Sequence, residues 1–160
     1  MKSPQPGRFD AVVPFPAMHV GVRTSGQQLA AIVYLPASVQ VMAPANRLAE
    51  RAARQFDRYR HDPDYRFDLP LAPCGSDFQR RVWQAISAVA RGKTLTYGAM
   101  AKALRSVPRA VGQACGANPF PLVVPCHLVV AAAGLGGFAH HSTGFHIEAK
   151  RWLLAHEKAL

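Results

Sequence analysis

The order of patterns along the 160 residues predicts an α+β fold, with a small mixed domain over residues 1–70 and a mainly helical domain over residues 71–160. Three observations predict it. "MHVGVRTSGQQLAAIVYLP", residues 18–36, sets two apolar stretches on either side of "TSGQQ", a hairpin signal, and "PANRLAERAARQFDRYR" then has a helical period. "HDPDYRFDLPLAPCGSD", residues 61–77, is rich in Pro and Asp without any period and reads as a linker. Beyond it, helical patterns dominate, with one strand-like run among them.

The elements of the second half follow in order. Ser76 and Gln79 fit a capping box, and Phe78, Val82, Ile86 and Val89 recur at about one turn, predicting a helix over 77–91. "YGAMAKAL" and "PRAVGQACGA" are two short helical patterns separated by "RSV", a helix-turn-helix arrangement in which Pro108 occupies the first turn and Asn118-Pro119 ends the second helix. "FPLVVPCHLVV" is strand-like, "AAAGLGGFAHHSTG" is a loop, and "FHIEAKRWLLAHEKAL" closes the chain as a helix anchored by Ile147, Leu154 and the Trp152/Leu153 pair.

Composition narrows the function. Hydrophobic residues make up 49% of the chain, enough for a real core. No apolar run is long enough to cross a bilayer, and "MKSPQPGRFDAVVPFP" is a broken apolar stretch rather than a signal-peptide core, so the chain is expected in the cytoplasm, on the nucleoid if bacterial, with no membrane partner. Three cysteines, Cys74, Cys115 and Cys126, without a CxxC pair favour reduced thiols over a disulfide framework. Nineteen Lys and Arg against nine Asp and Glu leave a formal charge of +10, which favours a polyanionic partner, nucleic acid first. Arg47, Arg51, Arg54, Arg58 and Arg60 are either a solvated helix face or phosphate contacts.

The second helix of the pair has two unlike faces. Ala110, Val111, Ala114 and Cys115 can pack inward, whereas Arg109, Gly112, Gln113 and Gly116 share the opposite face. Glycine inside a helix costs roughly 1 kcal/mol relative to alanine, so close approach of another backbone is expected there, either DNA or a neighbouring helix of the protein.

Cys126 admits three readings. A cysteine between valines can be a small core hydrophobe. As a metal ligand it lacks a second cysteine pair, although His141 and His146 stand at a tolerable zinc spacing. As a nucleophile it must lose its proton, because only the thiolate attacks; His127 is the adjacent base, and Glu157 is a candidate to orient it. Neighbours in a regular strand point to opposite faces, so the nucleophile reading requires a sharp turn after Pro125 or a water that relays the proton.

"PCH" preceded by "NPFPLVV", after "TYGAMAKAL" and "RAVGQACGANP" and before "KRWLLAHE", resembles the methylated-DNA–protein-cysteine methyltransferases, or O6-alkylguanine-DNA alkyltransferases, over about residues 74 to 157. The resemblance implies a ribonuclease-H-like first domain and a winged-helix-like second one. It implies single-turnover repair of double-stranded DNA by a monomer without cofactor or metal, in which the alkyl group of O6-alkylguanine, and less readily of O4-alkylthymine, passes to Cys126.

Its residue roles follow from the same motifs. His127 would act as base through a water, Glu157 would orient it, and Asn118 would tie the recognition helix to the active-site segment. Tyr97 would press on a phosphate and protonate the leaving base; Arg109 would fill the space of the flipped nucleotide; and Thr96, Ala110, Gly112, Gln113 and Gly116 would meet DNA. Pro121, Val129, Phe138 and Ala139 would line the pocket.

Three departures stand out: Leu128 replaces an arginine usual after Cys-His, the loop over 138–146 is longer, with Ala139 near the place of a serine-like contact to O6, and the turn between the paired helices is short. A non-reacting lesion sensor is the alternative. A helix-turn-helix regulator with an inert Cys126 is disfavoured, because Arg109 is flanked by glycines rather than by a base-reading Asn, Gln and Arg set.

Overall fold

A computed structural model describes residues 8–90, 92–136 and 144–159. The chain divides into two compact units, Met1–Ala72 and Pro73–Leu160. The fold is a mixed α+β one with a small antiparallel sheet and helices.

In the first unit, β1 (Ala11–Pro14), β2 (His19–Ser25) and β3 (Gln28–Leu35) form an antiparallel meander in the order β1-β2-β3. The expected hairpin closes between β2 and β3 through Gly26, whose φ of 60° is the left-handed value that such a tight turn demands. The preceding strand β1 was not legible, because Pro14 and Pro16 break its apolar run. Helix α1 (Arg47–His61) packs Ala49, Ala52, Phe56 and Tyr59 inward, and its Asn46 side chain caps the Ala49 N–H at 2.8 Å. Arg47, Arg54 and Arg58 are exposed on the same helix; Arg51 pairs with Asp68 at 3.1 Å and Arg60 with Asp57 at 2.7 Å.

Much of residues 61–77 is bound rather than a free linker. Gln55 grips Asp68 twice, giving its amide to the carbonyl and accepting from the N–H, both at 2.9 Å. Phe67 packs on Phe56 and Tyr59. A long-range polar clamp of this kind leaves no periodic trace in sequence.

In the second unit, α2 (Asp77–Ser87) opens with the expected capping box between Ser76 and Gln79. It stops at Ser87 rather than at 91: the Val89 N–H turns back to Ile86 at 3.1 Å, and Gly92 takes a φ of 77°. β4 (Leu95–Thr96) leads into α3 (Tyr97–Ala103), and α4 (Pro108–Gly116) packs against α3 and α2. Between α3 and α4, Arg105 sits at φ 55° while Ser106 N–H reaches Ala101 O at 2.8 Å and Arg105 N–H reaches Lys102 O at 3.2 Å, a Schellman turn with arginine where glycine is favoured.

The strand expected over 120–130 is mostly not a strand. Residues 120–125 form turns: Val124 N–H bonds Phe120 O at 2.9 Å across Leu122, which is held at φ 78°. Pro121 and Pro125 bring no N–H to a ladder, and the valines that suggested a strand fill the turn instead. Cys126–Leu128 make one 3₁₀ turn, and only β5 (Val129–Val130) is extended, paired in parallel with β4 through Leu95↔Val129 and Thr96↔Val130. The closing helix α5 (Phe145–His156) buries Ile147, Ala149, Lys150, Leu153 and Leu154, whereas Trp152 is half-buried and stacks on His156.

Arg105→Gly removes the left-handed penalty at an exposed turn and is expected to raise stability by up to about 1 kcal/mol in urea unfolding. A loss of stability would mean that the Arg105 side chain outweighs its backbone.

Candidate active site

The turn at Cys126 answers the difficulty that a strand would have posed. Pro125 and the 3₁₀ turn bury Cys126, His127 and Leu128 together instead of sending neighbours to opposite faces. Helix α5 packs against this turn. Its last carboxylate, Glu157, lies in the C-terminal cap of the helix, buried, and its Oε2 is 2.5 Å from His127 Nε2. A carboxylate only accepts, so the imidazole is N–H at Nε2 and carries its lone pair at Nδ1. Nδ1 is buried and finds no hydrogen-bond partner among the described residues. A base oriented by a carboxylate, with its other nitrogen in the interior and one residue along the chain from a buried cysteine, has the parts that removal of a thiol proton requires.

Asn118 joins α4 to this turn. It follows the C-terminal cap of α4; its Nδ2 donates to Val124 O at 2.8 Å and to Cys126 Sγ at 3.1 Å, and its Oδ1 accepts from Phe120 N–H at 2.9 Å. Three hydrogen bonds of one side-chain amide therefore fix the path of 118–126. Cys126 titrates well above the ordinary thiol range, first because it shares a hydrogen bond with Cys115 and then because it is buried; Asn118 and Lys150 pull the other way.

Tyr97 enters through the β4–β5 pairing, which carries the start of α3 alongside Val129. Its phenol is pushed up to about 12, by burial first and then by the neighbouring thiols Cys115 and Cys126, so it holds its proton at neutral pH. Gly136, at φ 72°, passes close beside it: a Cβ there would come to 3.1 Å from the Tyr97 ring and equally close to Ala131 N. Thr96 caps α3 by accepting the Ala99 N–H at 3.0 Å.

Lys150 has no mark in the sequence beyond its place in the amphipathic closing helix. Its side chain is fully buried, with Nζ 2.8 Å from Val129 O and 5.8 Å from the centre of the Tyr97 ring. Burial lowers it to about 8, against the opposing pull of Cys115 and Cys126. A cation buried beside two thiols stabilises a thiolate there. The only sequence signal was its place one turn before Leu153 and Leu154, on the apolar side of α5.

The surface of α4 keeps Arg109 and Gln113 exposed, with Ala110, Gly112 and Gly116 half-buried, while Val111 and Ala114 are buried. Of the two readings of the helix glycines, internal packing does not hold for Gly112: a Cβ there would meet nothing within 4 Å among the described residues. Pro121 is half-buried in the turn, and Val129 is wholly buried with its carbonyl on Lys150. Phe138, Ala139 and His141 lie outside the described residues, and the His146 ring packs on Phe145 at 4.0 Å. Leu128, at the place of the usual arginine, is 2% exposed and belongs to the core.

The fold and the site together define an α+β protein in which one asparagine ties the end of α4 to a buried turn that holds Cys126 beside a His127–Glu157 pair. The family model of the 6-O-methylguanine DNA methyltransferase DNA-binding domain matches residues 77–159. Over nearly the whole chain, the fold is similar to that of the Mycobacterium tuberculosis O6-methylguanine methyltransferase, with 30% identity, a TM-score of 0.75, and coverage of 92% of this chain and 91% of that one. The same protein in complex with DNA matches at 31% identity and a TM-score of 0.74, with the same coverage. Among curated relatives, a methylated-DNA–protein-cysteine methyltransferase of Thermococcus gammatolerans is 49% identical over 78 residues, 48% of this chain and 42% of that protein. A probable one of Acanthamoeba polyphaga mimivirus is 42% identical over 97 residues, 59% of this chain and 62% of its own. The chain thus spans about half the length of the curated relatives it matches. It belongs to the O6-methylguanine DNA methyltransferase family.

The depressed Lys150 has a defined pH signature. Between about pH 8 and 10.5 the folded chain has lost a proton that the unfolded chain retains, so stability rises with pH across that window. Relative to Lys150→Met, the wild type is expected to gain up to about 3 kcal/mol there, from roughly 1.36 kcal/mol per unit. Parallel urea-unfolding profiles of the two proteins across that range would contradict the assignment.

Proposed function

We propose that this chain repairs DNA by direct reversal, taking the alkyl group of O6-alkylguanine, and less readily of O4-alkylthymine, onto Cys126 after the base is flipped from the duplex. The observation that carries this reading is the buried His127–Glu157 pair in the same turn as buried Cys126, with His127 Nδ1 left facing the interior. Family membership and the DNA-bound state of the Mycobacterium tuberculosis relative support DNA as the partner. The +10 charge supplies the long-range attraction.

The chemistry follows from the residues. Glu157 holds His127 N–H at Nε2 and stabilises the imidazolium that forms when Nδ1 takes the Cys126 proton through a bridging water. Lys150 and the Asn118 amide stabilise the resulting thiolate. The sulfur attacks the alkyl carbon, the carbon–oxygen bond breaks, and the guanine leaves with a proton supplied by Tyr97, whose phenol is still protonated at the pH of reaction. A thioether is a poor leaving group, so each molecule reacts once.

Arg109, exposed in the first turn of α4, enters the stack in place of the flipped nucleotide, while Gly112 lets the helix approach the DNA backbone closely. Thr96, Ala110, Gln113 and Gly116 complete the DNA contact, and Pro121, Val129, Phe138 and Ala139 line the base pocket. In finer detail, we read the first unit as ribonuclease-H-like, on its meander and helix. The second reads as winged-helix-like, on the α3–turn–α4 pair bracketed by the two strands of the short β4/β5 pairing. The non-reacting sensor is not favoured, since Cys126, His127 and Glu157 are all present.

Incubation with a duplex containing O6-methylguanine is expected to add one methyl mass, mapped to Cys126 and absent in Cys126→Ala. Tight lesion binding without that mass would overturn transfer in favour of sensing. Because Cys126 titrates high, the single-turnover rate is expected to climb with pH through the neutral range, by up to about tenfold per unit. A flat profile would show that thiol ionisation does not limit the rate. Arg109→Ala is expected to slow transfer at least about tenfold while leaving binding to undamaged duplex within about twofold, since a wedge acts only on the flipped state. Equal losses in both would remove the wedge role.

A further inference from the structure

We propose that the outer face of α1 is a second DNA-contacting surface, on which Arg47, Arg54 and Arg58 engage phosphates of the duplex without reading its sequence. The choice of duplex DNA as the polyanion rests on the repair reading; the surface itself rests on the first unit. The three arginines stand at positions i, i+7 and i+11 of α1. At 3.6 residues per turn they fall within about 40° of the circumference and along about 16 Å of helix axis. One strand of B-DNA carries about five phosphates over that length.

All three are exposed, and neither Arg47 nor Arg54 has a hydrogen-bond or ion-pair partner among the described residues. Arg58 is pre-organised: its guanidinium carbon lies 5.3 Å from the centre of the Tyr65 ring, and Tyr65 meets Phe67 edge-on at 5.8 Å. Phe67 packs in turn on buried Phe56, so the stack is anchored in the core. A guanidinium held by a ring keeps its N–H groups for an acceptor and loses little freedom when a phosphate arrives. Apart from His61, every cation of α1 is an arginine, whose planar fork grips two phosphate oxygens at once. Arg51, on the same face, is committed to Asp68, whose carbonyl accepts from it at 2.5 Å and whose carboxylate lies 3.1 Å away. The acids of the helix stand about 60–80° round from the row. Asp57 takes Arg60 at 2.7 Å, and Glu50 lies in the first turn, where the helix dipole favours a negative charge. A membrane surface fits this helix poorly, because Ala49, Ala52, Phe56 and Tyr59 spend its apolar face inside the unit.

The test uses the full chain and a duplex without a lesion. Combined Arg47→Gln, Arg54→Gln and Arg58→Gln are expected to weaken binding at least about tenfold at roughly 50 mM salt, and to lower the slope of log affinity against log salt by about 2–3. The same three positions changed to lysine are expected to keep most of that slope, since the charges remain. Phenylglyoxal, which modifies exposed guanidinium groups, is expected to react with Arg47, Arg54 and Arg58 in the free protein and to be blocked there by the duplex. An unchanged slope in the glutamine variant, or equal modification with and without duplex, would overturn the surface. Stronger protection by an RNA duplex of the same length would overturn DNA as its occupant. With lesion duplex at saturation, methyl transfer in the glutamine variant is expected to stay within about twofold, because the row acts on affinity alone. Loss of slope in a protein that accepts no methyl group would uphold the surface and sink the repair reading, whereas methyl transfer with an unchanged slope would sink the surface alone.

Discussion

A 2.5 Å contact between His127 Nε2 and Glu157 Oε2, both residues buried, is the constraint on which the second unit depends. It joins the C-terminal cap of α5 to the 3₁₀ turn at Cys126 and fixes the imidazole tautomer. An ionised carboxylate in the interior is costly unless paired, and removing one partner of such a pair typically costs 3–5 kcal/mol. The geometry is accordingly held from both sides: α5 buries Leu153 and Leu154 in the core, and Asn118 fixes the chain leading into the turn.

Around that pair the site balances opposing effects on one thiol. Burial and the bond to Cys115 keep Cys126 protonated; Asn118 and Lys150 favour its anion. The proposed one-time transfer would gain from such a balance, because a thiolate exposed at all times would be consumed by any electrophile. The hydrogen bonds of Asn118 place the thiol, the turn and the end of α4 in one network.

What was legible in the sequence was local or periodic. The capping box at Ser76 and Gln79, the β2–β3 hairpin and the paired helices α3 and α4 all announce themselves within a few residues. The candidate site was legible as an ordered set of motifs: Cys126, His127, Asn118 and Tyr97 do come together, and Glu157 reaches His127 across 30 positions of sequence. Hidden were features created by distant partners. The valines of 120–130 look the same in a strand or in a proline-bounded turn, and only Asn118 decides between them. Lys150 looks like any helix lysine until Val129 O and the thiols surround it. The bound segment at Asp68 depends on Gln55, which no local pattern links to it.

The most direct test of the relay is the single-turnover rate of methyl transfer in Glu157→Gln, with folding checked by near-ultraviolet circular dichroism. The amide can still accept the Nε2 proton but does not stabilise an imidazolium, so the rate is expected to fall by about 10²–10⁴-fold in a folded protein. A folded variant that transfers methyl within about threefold of the wild-type rate would contradict a thiol activated through His127 and Glu157.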